Sequence, residues 1–251
     1  MVFSAKTDVG RVRPHNEDCF GSYVSEDGSV LFLVVADGMG GQNAGEVASK
    51  MLVDCFMNKT SFLNKKNLTP EQLQDFLTDT IKEANLNILK EAKDNSEQSG
   101  MGTTAVACIL QEDKLIVANV GDSRAYVSSQ SVLAKVTEDH SYVEDLVRKG
   151  AISQEQARNH PDKNIITRAV GCMDDVEVDT FVKDFDKNSV LLMCSDGLSN
   201  MIEDDYMQRI IRRNKNMDKL AERLIYVAKK NGGTDNITVI VARRSDEVIH
   251  G

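Results

Sequence analysis

Short apolar runs, several of them rich in β-branched residues, recur along the chain and predict β-strands. They fall near residues 20–24, 30–36, 103–110, 114–120, 124–128, 131–136, 176–182, 189–194 and 236–243. Many runs are only a few residues apart, and Asp113 and the segment Ser128–Gln130 are typical of hairpin turns. Because connections this short join antiparallel neighbours, the pattern favours antiparallel sheets over a doubly wound parallel sheet.

Apolar residues at helical spacing between these runs predict amphipathic helices. The faces consist of Leu73, Leu77, Ile81 and Ile88, of Ile202, Tyr206 and Ile210, and of Leu220, Leu224 and Val227. Thr69 and Pro70 suit the start of the first of these helices, as N-cap and first helical residue. A further helix is predicted over residues 44–58, after a glycine-rich turn.

Strands and helices alternate in blocks, which indicates an α+β fold. We expect two packed antiparallel sheets flanked by helices, a four-layer α-β-β-α sandwich. No linker rich in proline or serine divides the chain, and it contains only three prolines. Residues 1–251 are therefore expected to form a single domain.

The net charge of the chain bears on which classes of function are possible. Its 251 residues carry a net charge of −9, and the pI is about 5.0. This disfavours binding to nucleic acid, which normally requires a basic face. It does not exclude phosphate chemistry, because bound divalent cations can invert the sign of the local charge.

The cellular compartment is indicated by what the sequence lacks. No apolar run approaches the roughly 20 residues that cross a bilayer, and the N-terminus has no apolar signal-peptide region. The five cysteines, Cys19, Cys55, Cys108, Cys172 and Cys194, show no CxxC spacing. We therefore expect a cytoplasmic protein without membrane insertion, with the cysteines as buried thiols.

Candidate chemistry begins where apolar runs meet aspartates. Asp37 follows the run 30–36 and precedes Gly38, so we expect it at the exit of a strand; Asp196 and Asp122 lie at similar corners. Asp235 lies just before the strand near 236–243. A single Asp-Gly pair is usually an ordinary turn. Four carboxylates at strand ends instead favour a site for a hard cation such as Mg²⁺ or Mn²⁺.

A charged N-terminal segment adds a second candidate. Arg13 offers a planar donor fork suited to bidentate phosphate binding. Glu17 and Asp18 follow closely and could orient water on a metal. By itself, the segment could equally be a solvated charged loop.

Two further polar groups have structural alternatives. Ser123 and Arg124 are more simply explained as support for the Asp122 loop than as substrate contacts. Asp139 and His140 could orient the site, or they could form a helix N-cap with a satisfied histidine.

Together these segments resemble the metal-dependent protein Ser/Thr phosphatases of type 2C, and in particular the bacterial branch of this PPM family. The matching motifs are Arg13-x-x-Asn16-Glu17-Asp18, Ala36-Asp37-Gly38-Met39-Gly40-Gly41, Met101-Gly102-Thr103-Thr104, Asn119-Val120-Gly121-Asp122-Ser123-Arg124, Thr137-Glu138-Asp139-His140-Ser141, Ser195-Asp196-Gly197-Leu198 and Gly233-Thr234-Asp235-Asn236-Ile237-Thr238. Each motif alone is weak. Seven of them in the family's order, over almost the whole chain, are specific.

The resemblance implies a set of ligands for Mn²⁺ or Mg²⁺. Asp37 would bridge two core ions, and the Gly38 carbonyl would bind one of them. Asp196 and Asp235 would complete the other ion's protein ligands. Asp122, with Asp196, would hold a third ion. Two such ions can deprotonate a shared water and neutralise phosphoryl charge, so that the hydroxide attacks phosphorus without a phosphoenzyme.

The resemblance also implies the remaining catalytic roles. Arg13 would clamp the substrate phosphate, and Glu17 and Asp18 would hydrogen-bond waters on the metals. Some relatives carry a histidine one residue after the Asp-Gly pair, but this chain has Met39 there, which cannot donate a proton. We hypothesise that a metal-bound water protonates the leaving group.

The polar segment at residues 147–171 corresponds to the variable flap of the bacterial family. The resemblance makes it a mobile flap subdomain beside the site, and the alternative is a passive insertion. The implied partners are phosphorylated proteins and a cognate Ser/Thr kinase that the enzyme opposes.

Other functions fit the sequence less well. A dinucleotide-binding turn would need glycine at Asn43, and Asp37 would repel a pyrophosphate. No cysteine has an arginine six residues later, and no glycine precedes a lysine, which excludes a cysteine-based phosphate loop and a Walker A motif. A catalytically silent, phosphoprotein-binding pseudophosphatase would be expected to have lost metal carboxylates, and all are present.

Overall fold

The computed structural model describes residues 1–40, 44–129 and 132–244. Its strands are β1 (Val2–Asp8), β2 (Asp18–Val24), β3 (Val30–Met39), β4 (Gly102–Thr103), β5 (Ala105–Gln111), β6 (Lys114–Val120), β7 (Arg124–Ser129), β8 (Val132–Lys135), β9 (Asp179–Asp184), β10 (Val190–Cys194) and β11 (Ile237–Arg243). Its α-helices are α1 (Ala44–Met57), α2 (Pro70–Asp94), α3 (Tyr142–Arg148), α4 (Gln154–Arg158), α5 (Asp196–Ser199), α6 (Asp204–Arg213) and α7 (Met217–Lys230). Gly41 of the aspartate-glycine motif and Gln130 of the predicted turn lie outside the described residues.

The strands form two sheets whose ladders are antiparallel. Sheet I has the order β1-β11-β10-β7-β8. Sheet II has the order β2-β3-β5-β6-β9, with the two-residue β4 beside β3. Antiparallel pairing, predicted from the short connections, is confirmed.

The buried side chains form three hydrophobic clusters, one between the two sheets and one on the outer face of each sheet under its helices. On β3, Leu33 belongs to the cluster between the sheets, together with Ile240 of β11. Its neighbour Phe32 points to the opposite face and belongs with Leu52 to the cluster under α1 and α2. Helices α6 and α7 cover the outer face of sheet I, where Leu224 is fully buried. The predicted four-layer α-β-β-α sandwich is confirmed.

Helix α2 begins where the sequence predicted. Thr69 is its N-cap: Thr69 Oγ1 accepts a hydrogen bond from the Gln72 N–H, and the Gln72 side chain accepts one from the Thr69 N–H. Pro70 occupies the first helical position. Satisfying two otherwise unpaired donors fixes this end of the helix. Within the described residues, none of the helices has the length and apolar content needed to span a membrane.

Strand β1 was not predicted from the sequence. It pairs along its whole length with β11, from Val2 opposite Arg243 to Asp8 opposite Ile237. No hairpin turn marks this pairing, because the partner strand lies at the other end of the chain. The finding matters for the site, since β1 leads directly into the segment that carries Arg13.

The prediction of five buried thiols is correct only in part. Cys108 and Cys194 are buried, whereas Cys19 and Cys55 are half-buried. It is wrong for Cys172, which is exposed because it lies in an irregular turn between α4 and β9 rather than in a strand. All five lie in the described part of the chain, and all are free thiols.

Candidate metal centre

Asp18 and Asp37 lie opposite each other on neighbouring strands. They are register partners on β2 and β3, and both are half-buried. Asp18 Oδ2 accepts a hydrogen bond from Ser195 Oγ at 2.7 Å, and Ser195 Oγ accepts one from the Thr238 N–H at 3.0 Å. Ser195 follows β10 and Thr238 lies on β11, so these contacts join the carboxylate end of sheet II to sheet I.

The backbone of Asp37 is fixed by two threonines. Its N–H donates to Thr104 Oγ1 at 2.9 Å, and its carbonyl accepts from Thr103 Oγ1 at 3.0 Å and from the Thr104 N–H at 2.9 Å. Thr104 Oγ1 also lies 2.8 Å from Ser123 Oγ, one residue after Asp122. The threonine pair therefore couples the position of Asp37 to that of the Asp122 loop.

The sequence predicted Asp37 at the exit of its strand, and this prediction is wrong. Strand β3 continues through Gly38 and Met39, which pair with β4. Gly38 packs so closely on Gly45 that a Cβ at either position would collide with the other's backbone. Its N–H donates to the Glu17 carbonyl at 3.2 Å. Glycine here permits close backbone approach in an extended strand, and no turn is formed.

The Asp122 loop is held by His140. The Gly121 N–H donates to His140 Nδ1 at 3.0 Å, and the His140 N–H donates to the Gly121 carbonyl at 2.9 Å. The other ring nitrogen, Nε2, lies 3.1 Å from Asp179 Oδ2 and 3.0 Å from Arg168 Nη1. His140 thus holds the residue before Asp122.

The neighbouring polar residues stabilise the same region. Asp139 Oδ2 accepts from Arg124 Nε at 2.9 Å and from Arg124 Nη2 at 2.6 Å, and Asp139 Oδ1 accepts from Lys135 at 3.1 Å. The N-cap of α3 is Ser141, whose Oγ accepts from the Glu144 N–H. The helix-cap interpretation is therefore wrong for Asp139 and His140, because Ser141 is the capping residue; the histidine itself has hydrogen-bond partners, as that interpretation expected.

Asp196 and Asp235 flank the two central strands of sheet I. Asp196 is the first residue of α5 after β10, and its Oδ2 accepts from Asn200 Nδ2 at 3.0 Å. Asp235 precedes β11; its Oδ1 accepts from the Asn236 N–H and its Oδ2 from Arg13 Nη2, both at 2.9 Å. The arginine predicted to bind phosphate thus forms an ion pair with a predicted metal ligand.

The segment that carries Arg13 and Glu17 is fastened by a residue that sequence reasoning missed. Buried Asn236 donates from Nδ2 to the carbonyls of Val9 and His15, at 3.0 and 2.9 Å, and accepts at Oδ1 from the Glu17 N–H at 2.9 Å. All the hydrogen-bonding capacity of Asn236's Nδ2 is used on this segment. The signal for this role was a carboxamide placed directly between Asp235 and an apolar strand.

Burial and mutual repulsion raise the pKa values of the clustered carboxyls. Desolvation is the largest cause, and raises the pKa of Asp18 to about 7, of Asp122 to about 8 and of Asp196 to about 6. The pKa of Asp37 lies well above its ordinary value, because its carboxyl group is desolvated and faces the other carboxylates. Such a cluster disfavours its own negative charge, which is the condition that a bound cation relieves.

The unpaired oxygens show that the cluster fits a hard cation. Asp18 Oδ1, Asp122 Oδ1 and Asp196 Oδ1 are enclosed and have no hydrogen-bond partner. Among the described residues, no group of three or more histidine, cysteine, aspartate or glutamate side chains is already arranged to hold a metal ion. Asp235 is instead paired with Arg13. Unsatisfied carboxylate oxygens are the donors that Mn²⁺ and Mg²⁺ require.

A cavity of about 360 Å³ adjoins Asp122 and Asp196. Part of its wall comes from the predicted flap, including Gln154 and Arg158. Arg158 Nη1 forms an ion pair with Glu203 at 2.8 Å, just before α6. The segment 147–171 therefore borders the candidate site.

Comparisons with known proteins agree with this architecture. Residues 6–146 match the family model described as Protein phosphatase 2C. The chain is 44% identical over 243 residues to the serine/threonine phosphatase Stp of Listeria monocytogenes serovar 1/2a, covering 95% of this chain and 94% of that protein.

Solved structures give the same result. A bacterial serine phosphatase superposes with a TM-score of 0.90 at 37% identity, over 99% of this chain and 100% of that one. The catalytic domain of the phosphatase PstP in complex with 2 manganese ions superposes with a TM-score of 0.82 at 31% identity, over 96% and 97% of the two chains. With this fold, this carboxylate cluster and these relatives, the chain belongs to the protein phosphatase 2C family of metal-dependent serine/threonine phosphatases.

Proposed function

We propose that this phosphatase hydrolyses phosphoserine and phosphothreonine in proteins by direct attack of water, without a phosphoenzyme. The observation that carries the mechanism is the cluster of enclosed, unpartnered carboxylate oxygens next to Arg13. No thiol or hydroxyl nucleophile is needed for this chemistry.

The proposed ligands of two core ions come from both sheets. Asp37 would bridge the ions, the Gly38 carbonyl would bind one, and Asp196 and Asp235 would bind the other. Mn²⁺ or Mg²⁺ bound there would neutralise phosphoryl charge and lower the pKa of the attacking water. The rigid support for this arrangement is the close packing of Gly38 on Gly45.

A third ion is proposed between Asp122 and Asp196. In each of these residues Oδ1 is enclosed without a partner, and both residues line the cavity that reaches the flap. The support for Asp122 as a ligand is its fixed loop, held by His140 through Gly121.

Arg13 is proposed to bind the substrate phosphate. Its guanidinium is about half exposed and lies at the edge of the carboxylate cluster, with the correct charge and fork geometry for phosphoryl oxygens. Its present partner, Asp235, is a proposed metal ligand, so Arg13 must exchange Asp235 for phosphate when the site is loaded. Glu17 and Asp18 are proposed to orient waters, since Asp18 Oδ1 is enclosed and unpartnered.

The proton for the serine or threonine leaving group is proposed to come from a water held in the site. Met39 has no proton to give. His140 is committed to Gly121 and Asp179, so it holds the Asp122 loop and does not face a leaving group.

The proposed function is tested by turnover of p-nitrophenyl phosphate and a phosphothreonine peptide with and without Mn²⁺. We expect hydrolysis of both, dependent on the metal, and a pH–rate profile in which kcat does not fall as pH rises through about 6.5, as it would if a histidine were the general acid. A folded, metal-loaded protein that binds the peptide but hydrolyses neither substrate would instead be a pseudophosphatase. A fall in kcat on the alkaline side with an apparent pKa of about 6.5 would contradict water as the proton donor.

We further propose that residues 147–171 act as a flap controlling access of protein substrates. Arg158 holds this segment to the start of α6, beside the cavity. Deleting residues 150–162 is expected to change kcat/KM for a phosphopeptide by roughly tenfold, while p-nitrophenyl phosphate hydrolysis stays within about twofold. If the wild type and the deletion variant hydrolyse both substrates with equal kinetics, the segment is a passive insertion.

The proposed partners are phosphoproteins produced by a cognate bacterial Ser/Thr kinase in the cytoplasm. This proposal rests on the family relationship. It is tested by comparing phosphoproteomes of cells with the active enzyme and cells with an inactive variant. Kinase substrates unchanged between the two would contradict it.

A further inference from the structure

A groove with a surplus of positive charge lies between β1 and the C-terminal half of α7. Its volume is about 690 Å³. Its charged lining consists of Lys6, Asp8, Arg11, Glu222, Lys229 and Lys230. Four of these side chains are basic and two are acidic, although the whole chain carries a net charge of −9. We call this feature the α7 groove.

Both acids of the α7 groove are already neutralised. Lys6 Nζ lies 3.2 Å from Glu222 Oε1, and Lys229 Nζ lies 2.8 Å from Asp8 Oδ2. Among the described residues, the side chains of Arg11 and Lys230 have no ion pair or hydrogen bond. Both are exposed. The groove therefore offers two unpaired cations, one of them with a bidentate fork.

The α7 groove lies close to the proposed catalytic site along the chain. The Arg11 N–H donates to the Gly233 carbonyl at 2.7 Å, and Arg13, two residues later, pairs with Asp235. Two residues span at most about 7 Å between Cα atoms, so Arg11 lies close to the proposed phosphate clamp. A chain whose phosphoresidue contacts Arg13 can therefore reach Arg11 within a few residues.

The remaining wall of the groove suits a peptide. Tyr226 is 57% exposed on α7, next to the nearly buried Ile225. An exposed aromatic ring beside aliphatic carbon provides contact area for backbone and side-chain stems, and the two cations select for carboxylates.

We propose that the α7 groove binds an acidic segment of the phosphoprotein substrate, with Arg11 and Lys230 pairing with aspartate or glutamate near the phosphoresidue. In this arrangement the catalytic site recognises the phosphoryl group, and the groove recognises the residues that flank the phosphoresidue. This rests on the proposed function for its biological meaning, but the groove's affinity for acidic peptides does not depend on turnover.

The test compares two phosphothreonine peptides that differ only in flanking residues, three glutamates in one and three glutamines in the other. The wild-type enzyme is expected to favour the glutamate peptide by roughly tenfold in kcat/KM, because two exposed ion pairs contribute modestly each. In the double variant Arg11→Gln/Lys230→Gln this preference should disappear through KM. Hydrolysis of p-nitrophenyl phosphate, which has no flanking residues, should be unchanged.

A matched control removes an arginine and a lysine elsewhere. Arg212→Gln/Lys215→Gln alters exposed residues around the end of α6, outside the α7 groove, and should retain the preference. A wild-type enzyme with no preference, or a double variant that keeps it, would overturn the proposal. If the control variant also loses the preference for the glutamate peptide, the preference is an effect of net charge and the proposal is wrong.

Binding separates this proposal from the proposed function. An unphosphorylated, fluorescein-labelled glutamate peptide is titrated in EDTA and followed by anisotropy, where no hydrolysis occurs. The double variant should bind roughly fivefold more weakly than wild type at low salt, and the difference should shrink at high salt. Equal binding would reject the groove whatever the enzyme's activity, whereas absent turnover with intact selective binding would reject only the proposed function.

Discussion

Asp196→Asn is expected to lower kcat/KM for p-nitrophenyl phosphate by at least about 10³-fold while the protein stays folded. Asp196 begins α5, its Oδ1 is enclosed without a partner, and it is the carboxylate proposed to serve both the core and the third ion. Asparagine keeps its shape but loses the charge that a cation needs. Losing metal-based stabilisation of several kcal/mol corresponds to a change of this size. Steady-state kinetics at saturating Mn²⁺ measure it.

The same substitution is expected to raise the stability of the metal-free protein. Burial and the neighbouring Asp235 raise the pKa of Asp196 to about 6, so the charged form is unfavourable in the empty site at neutral pH. Removing that charge should raise the melting temperature in EDTA by about 2–4 °C, for relief of about 1 kcal/mol. The rise in melting temperature that Mn²⁺ gives the wild type should shrink, because metal binding stabilises by mass action.

Asp205→Asn provides the control for charge. Asp205 is an exposed residue in the first turn of α6, so its replacement changes the net charge equally without touching the cluster. It should leave both activity and the Mn²⁺ effect within about twofold of wild type. An Asp196→Asn enzyme that retains a tenth of wild-type activity would contradict the metal role, and a lower melting temperature in EDTA would contradict the repulsion.

The fold was predictable wherever its signal is local. The β3 run, the hairpin at Asp113 and the Thr69–Pro70 start of α2 depend on neighbouring residues, and the structure confirms them. Strand β1 depends on pairing with β11 from the opposite end of the chain, so no local pattern reveals it. Sequence periodicity reports the face that a segment buries, but not the partner that covers it.

The candidate site was predictable as a set of residues but not as a set of contacts. Apolar runs ending in carboxylates are visible in sequence, and the structure places Asp37 opposite Asp18 on neighbouring strands. The pairing of Arg13 with Asp235 joins positions 222 residues apart and follows only from the packed sheets. The contact by which His140 holds the Asp122 loop was not visible in the sequence either, because the group it holds there is the backbone amide of Gly121.

Asn236→Asp is expected to cause a large loss of stability, although it only replaces the side-chain NH2 group by an oxygen. Asn236 Nδ2 donates to the carbonyls of Val9 and His15, and a carboxylate would place oxygen against both. It would also add a buried charge next to Asp235. Breaking two buried hydrogen bonds and burying an unpaired charge costs roughly 3–5 kcal/mol, or of order 10 °C in melting temperature. Thermal denaturation in EDTA measures the loss.

The milder variant Asn236→Ala keeps the test open if the aspartate variant does not fold. Alanine removes all three hydrogen bonds to residues 9–17 without adding charge. That segment carries Arg13, so we expect KM for p-nitrophenyl phosphate to rise roughly tenfold, with a smaller change in kcat, since Arg13 is the proposed phosphate-binding group. A general destabilisation would not produce this split, because the folded fraction affects only the active enzyme concentration.

Asn231→Asp is the matched control for the aspartate substitution. Asn231 caps the end of α7, and its Nδ2 donates once, to the Met201 carbonyl at 2.8 Å, without contacting residues 9–17. Because it is exposed, its replacement should cost about 1 kcal/mol or less and leave KM unchanged. Equal melting temperatures for the two aspartate variants would show that Asn236 does not fasten the segment. Loss of stability in Asn236→Ala with normal KM would show that Asn236 supports the fold without positioning Arg13.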